Sequence, residues 1–145
     1  MAETTQNYAS HTRWHTPFHF VLFPILFLHL IWSVVRLVQA PGWATAEALL
    51  LSIGLLLMML LVRINPLRAQ DRLIRLEEQL RMQRLLPPDL AARGGALPVR
   101  FLVALRFAPD EEVRGLVEQA LAGQFAKPDD LKRAIKNWRG DYLRV

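Results

Sequence analysis

Cysteine is missing from the 145 residues. Its absence excludes disulfides, thiolate zinc sites, iron–sulfur clusters, Cys-linked haem and a cysteine nucleophile. Histidine is scarce and one-sided, with His11, His15, His19 and His29 all in the first fifth of the chain. No segment alternates polar and apolar residues with the period of a strand, and no glycine loop of the phosphate-cradling kind occurs. There is no internal repeat and no low-complexity tract. No paired-carboxylate or Ser–His–Asp constellation is recognisable, since the acidic residues and the histidines fall toward opposite ends. The net charge of +5 is too small to demand nucleic acid as a partner. The expectation is a non-enzymatic protein that needs no cofactor.

Apolar material is abundant and segregated. Hydrophobic residues make up 52% of the chain, yet 21% is charged. Two runs account for this. Residues 18–38 carry one charge, Arg36, near the end, and residues 44–62 carry one, Glu47, near the start. A bilayer core needs about 20 helical residues. Both runs are long enough, and both charges sit where they can reach an interface. Trp14 and Trp43 flank the runs as interfacial anchors do. Val38-Gln39-Ala40 loosely imitates a signal cleavage site, but Pro41 follows it and the apolar stretch is too long. Two uncleaved spans are expected, joined by only five residues, 39–43. Such a link makes a tight hairpin with both termini on one side. Residues 63–145 hold sixteen basic and eleven acidic residues, whereas the hairpin tip holds no lysine or arginine. The positive-inside bias puts both termini in the cytoplasm.

Thr16-Pro17 has the form of a helix cap and first turn for the first span. Pro24 lies inside that span and frees the carbonyl of Phe20. Asn65-Pro66 punctuates the end of the second span. Beyond it, residues 67–86 have a strongly helical pattern. Ala69, Leu73, Leu76, Leu80 and Gln83 recur at spacings of four and three, a seam of about two heptads. Such a stripe suits packing within the chain better than a dimer seam, because a stable coiled coil usually needs three or four heptads. Asp71–Arg75 and Glu77–Arg81 are favourable i,i+4 pairs. Pro87-Pro88 ends this helix, and residues 87–97, with Arg93-Gly94-Gly95, form a linker. Three short helices are expected at 98–107, 109–122 and 128–139. Ala108 and Lys127, before Pro109 and Pro128, are poor caps. A 48-residue region at 98–145 is marginal alone. It must dock on helix 67–86, on the membrane, on a second copy or on a partner protein.

Few residues offer chemistry. His11, His15 and His19 share a spacing of four, but Pro17 breaks the helix a metal site would need. His29 falls near the bilayer midplane, opposite Ser52 and Gly54. Gly54 would admit close approach and Ser52 would hydrogen-bond the imidazole. The alternative role for His29 is axial ligation of haem or another pigment. Arg63, Arg68, Arg72 and Arg75 lie where anionic lipid headgroups gather. Lys132, Lys136 and Arg139 could face phosphate if the last helices imitated a helix-turn-helix, a minor alternative given the many acidic neighbours. Arg68, Arg72, Arg75, Lys132, Lys136, Trp138 and Arg139 are thus the candidate interaction residues.

Several segments carry a resemblance. They are Gln6-Asn7-Tyr8-Ala9 with His11-Thr12-Arg13, His19-Phe20-Val21-Leu22-Phe23-Pro24, and Ala69-Gln70-Asp71-Arg72 with Ile74-Arg75 and Glu77-Glu78. Further on come Ala104-Leu105-Arg106-Phe107-Ala108 with Asp110-Glu111-Glu112, and Ala134-Ile135-Lys136-Asn137-Trp138-Arg139. Jointly they resemble a family of small bacterial membrane proteins known only as a domain of unknown function. The resemblance implies two spans and a cytoplasmic helical tail in a bacterial inner membrane, and it implies no activity or cofactor. The expected fold is all-α: an N-terminal segment (1–16), a transmembrane hairpin (17–64), a juxtamembrane amphipathic helix (65–86), the linker (87–97) and a small three-helix region (98–145). The expected role is an interaction protein, such as an accessory or scaffold subunit of a larger membrane complex. Its partners would be anionic lipid and a membrane protein or a second copy. A haem- or pigment-binding protein and a membrane-tethered nucleic-acid binder are the alternatives.

Overall fold

The computed structural model describes Tyr8 and residues 15–141. His11, Arg13, Trp14 and all of the first quoted motif except Tyr8 lie outside the described residues. Those described are all-helical. A π-helical stretch, Pro17–Leu22, leads into α1 (Phe23–Gln39), and α2 (Trp43–Leu85), α3 (Pro88–Gly95), α4 (Val99–Leu105), α5 (Asp110–Leu121) and α6 (Pro128–Ala134) follow. The helices form two compact units, residues 15–66 and, with Tyr8, residues 67–141.

In the first unit, Thr16 is already helical and makes no side-chain cap. The helix is started instead by the carbonyl of His15, which accepts from Phe18 and His19 at 3.0 Å each. The π-helical stretch stands immediately before Pro24. A proline removes one N–H and crowds the carbonyl four residues back, and a wider turn is one way a helix absorbs this. Phe23 donates to Phe18, five residues back, as that wider turn requires. Thr45 closes the connection to α2, donating to the carbonyls of Ala40 and Gly42 at 2.9 Å. Helices Pro17–Gln39 and Trp43–Leu85 are each long and apolar enough to cross a membrane, and only 6% and 11% of their most apolar windows is buried. Core helices of soluble proteins bury such surface. Leu28, Trp32, Leu50, Leu51 and Leu61 are all exposed. α2 continues unbroken through Pro66.

The second unit is built on the last third of α2. Met82 and Leu86 join Phe101, Leu102, Leu105, Phe107, Val113, Val117 and Leu131 in one hydrophobic core. Of the docking choices open to residues 98–141, helix 67–86 is the one taken. The face used differs from expectation. Ile74, Glu78, Arg81 and Met82 are buried, while Leu73, Leu76 and Leu80 are 56%, 53% and 52% exposed. The heptad stripe is not the packed stripe, and Arg81 pairs with Glu78 rather than Glu77.

The linker reading is also corrected. Residues Pro88–Gly95 form α3, with Ala91, Gly94 and Gly95 buried. A Cβ on Gly94 would meet Val117 Cγ1 at 2.8 Å and Met82 Sδ at 3.0 Å. This glycine lets α3 approach α5 and α2 closely; it does not mark a loop. α6 stops at Ala134, five residues short of expectation, because Ile135 turns extended. The Glu112 carboxylate then takes the N–H groups of Lys136 and Asn137, both at 2.9 Å, which a helix would have paired internally. Beyond them Arg139 donates to the carbonyl of Phe107 at 2.8 Å. The poor cap at Lys127 is offset from within the helix, since Asp130 accepts from the Lys127 N–H at 3.0 Å.

Candidate functional site

Each unit holds a buried polar cluster among its described residues. In the first, three side chains meet between α1 and α2. Ser52 Oγ lies 2.8 Å from His29 Nδ1 and 2.8 Å from Ser33 Oγ. Ser33 also lies 2.8 Å from the carbonyl of His29, and Ser52 2.8 Å from that of Ala48. Each hydroxyl carries one proton. Two hydroxyl protons alone can serve only two of these four contacts. A proton on Nδ1 serves a third, so the network is best satisfied when Nδ1–H donates to Ser52. In the neutral ring of that tautomer Nε2 is an acceptor. Ser33 and Ser52 are buried, whereas His29 stays exposed along its outer edge. Gly54 has no part in this contact, because a Cβ there would meet nothing within 4 Å. The small residues at the crossing are the two serines, and Ser33 carried no periodic or motif signal.

In the second unit the cluster centres on Arg81, 4% exposed. Its Nε donates to Asp110 at 2.7 Å, one terminal nitrogen donates to the Ala108 carbonyl at 2.7 Å, and the other reaches both Glu78 oxygens at 3.3 and 3.4 Å. A guanidinium can satisfy three directions at once because its donors form a rigid planar fork. Burial pushes the Glu78 carboxyl above its ordinary range, and the neighbouring Arg81 opposes this only in part. Arg106 is anchored differently. Its Nε is buried without a hydrogen bond and is held by charge, 3.2 Å from Asp141. Its guanidinium also lies 4.5 Å from the Phe107 ring centre. Burial lowers the Arg106 pKa, with Asp141 acting against it.

A cleft of about 600 Å³ opens beside these groups, lined by Gln70, Leu73, Glu77, Glu78, Arg84, Arg106, Arg139 and Asp141 among others. Both acidic and basic side chains line it.

The expected interaction residues divide. Arg68, Arg72 and Arg75 are exposed on α2. Lys132 is engaged by Asp129 at 3.0 Å. Trp138 is half-buried and packs against the core, 4.8 Å from Phe107 and 6.4 Å from Tyr8. Lys136 and Arg139 lie beyond the end of a seven-residue helix, so with Lys132 they do not form the basic face of a recognition helix. Tyr8 itself packs on the C-terminal region: its hydroxyl lies 3.1 Å from Arg133 Nε, and its ring 5.3 Å beneath that guanidinium. Nothing in the sequence pattern signalled that the first and last motifs would touch.

Fold and clusters together define an all-helical protein with two candidate membrane-crossing helices and a compact helical unit organised around a buried arginine. The chain belongs to the family of unknown function DUF6526, which it matches over residues 1–145. No curated protein and no solved structure matches it.

Proposed function

We propose that this chain is a non-enzymatic membrane interaction protein, with its two apolar helices in a bacterial inner membrane and its helical unit on the cytoplasmic face. The observation that carries this reading is the apolar surface of α1 and the first part of α2, which stays exposed among the described residues. Left in water, such surface costs roughly 25 cal/mol for each Å². A bilayer removes that cost. Two further features support the sidedness. Tyr8, before the first span, packs on Trp138 and Arg133, after the second, so both ends of the chain share a side. Arg63 sits 5.7 Å from the ring of Phe18, placing a cation where the two helices end together. Arg68, Arg72 and Arg75 follow, each contributing about 1 kcal/mol of attraction to an anionic leaflet.

The helical unit then works as a docking module for other proteins, such as the remainder of a larger membrane complex. The test is the native mass of the particle in mild detergent, with the absorbance read on the same column. A particle containing other polypeptides supports the subunit role and names the partners. A particle of one or two copies alone rules out a stable heteromeric complex. Absorbance in the visible that His29→Ala abolishes would favour pigment ligation through Nε2 instead.

A further inference from the structure

The stripe Ala69, Leu73, Leu76, Leu80 and Gln83 lies on the face of α2 that the helical unit leaves open. Its spacing assigns Leu73 and Leu80 to heptad position a, and Ala69, Leu76 and Gln83 to position d. The buried residues of the same helix fall on the other side: Ile74 and Arg81 at b, Met82 at c, Glu78 at f. The second unit therefore covers the back of the helix and leaves the seam leucines Leu73, Leu76 and Leu80 more than half exposed, with Leu73 bordering the cleft beside Arg106. We propose that a second copy of this chain covers the seam, in a parallel, in-register two-stranded coiled coil.

Charge and geometry favour that occupant. In a parallel pair, a residue at g faces the e position of the next heptad on the other strand. Arg72 stands at g and Glu77 at the following e, so each copy's Arg72 meets the other's Glu77, twice by symmetry. Neither side chain has a hydrogen bond or ion pair among the described residues. The other g residue, Gln79, is held by the Gly95 carbonyl at 2.8 Å and flanks the seam without charge. Arg68 and Arg75 fall at c, away from the seam, and remain available to headgroups. Parallel orientation follows if two copies enter the membrane the same way, so this inference rests on the membrane reading above. Two heptads are too short to hold in solution. Confinement to one membrane raises the effective concentration and makes up for the short seam.

The cysteine-free chain permits a direct test. Leu73→Cys, Leu80→Cys and Arg75→Cys are made singly in the full chain, and isolated membranes are treated with a mild oxidant. In a parallel, in-register pair, Leu73→Cys and Leu80→Cys each disulfide to themselves, at least fivefold more than Arg75→Cys at an outward c position. On the Leu80→Cys background, Arg72→Glu lowers the cross-linked fraction about threefold, and adding Glu77→Arg restores it. Equal cross-linking at all three positions, cross-linking at only one of the two a positions, or no rescue by the charge exchange overturns the proposal. Alkaline carbonate extraction of the same membranes separates the two failures. Protein that stays in the pellet but does not cross-link overturns the pairing alone, whereas protein released to the supernatant overturns the membrane reading and the pairing with it.

Discussion

Arg81 and Glu78 point into the core from successive turns of one helix, at positions where leucine would ordinarily serve. Taking two charges out of water costs several kcal/mol per ion unless the remaining hydrogen-bonding capacity is met. Here Asp110 and the Ala108 carbonyl meet it, and the fork ties α2 to the turn before α5. Glu78 receives less: Arg81, its hydrogen-bond partner, is shared, and burial holds its proton more tightly than water does. The consequence for stability has a definite sign. A carboxyl whose pKa is raised by folding contributes stability below its ordinary value of 4.5 and loses it as pH rises through the folded value. Glu78→Gln removes that dependence. The melting temperature of Glu78→Gln relative to the parent should therefore climb as pH rises above about 4.5. Fluorescence melts of the full chain in detergent at several pH values read this out, and a difference that stays flat would remove Glu78 from the account.

Elements are positioned here by small residues. Gly94 occupies a space that a methyl group would overfill, since the nearest atoms of Val117 and Met82 stand at 2.8 and 3.0 Å from a Cβ. Gly115, in the middle of α5, faces open space. Gly94→Ala should cost about 1–3 kcal/mol by overpacking. Gly115→Ala should add about 0.5–1 kcal/mol by restricting the unfolded chain. Denaturant titration of both variants checks the pair, and the opposite signs are the diagnostic. The contact between α1 and α2 permits a similar comparison. Ser52→Ala removes the centre of the His29–Ser33 network and should cost about 0.5–2 kcal/mol. Gly54→Ala, two residues away but turned from the contact, should be neutral or slightly stabilising in the same thermal assay.

For the whole molecule, the asymmetry of charge is the organising quantity. The arginines at 63, 68, 72 and 75 follow the second span, while the link between the spans carries no lysine or arginine. On the membrane reading proposed above, weakening that bias should loosen the orientation of insertion. With all four arginines changed to Gln and lysines placed at Ala40 and Gly42, a single cysteine at Thr45 should report a mixed population toward a membrane-impermeant thiol reagent. In the parent background, Thr45→Cys should label almost entirely from the outer face. Orientation that resists this exchange would mean that packing of the helical unit, and not loop charge, sets the sidedness.

Residues 18–38 and 44–62, the basic collar after them, and the presence of helices over α5 and α6 were legible in the sequence because each depends on neighbours three or four places away or on composition alone. Ser52 beside His29 followed from counting turns inward from the link. The tertiary structure decided which face of residues 67–86 is buried. That helix offers two: a leucine stripe, and a stripe containing an ion pair. The pattern favoured leucine, yet the ion pair is the buried one, because Asp110 and Ala108, 29 and 27 residues from Arg81, complete its hydrogen bonds. Gly94 and Gly95 read as chain breakers until Val117, Met82 and Gln79 are seen against them. The last helix ends early because Glu112 captures its next two N–H groups. In each case the deciding partner is distant along the chain, and local periodicity carries no record of a contact made only when the chain has folded.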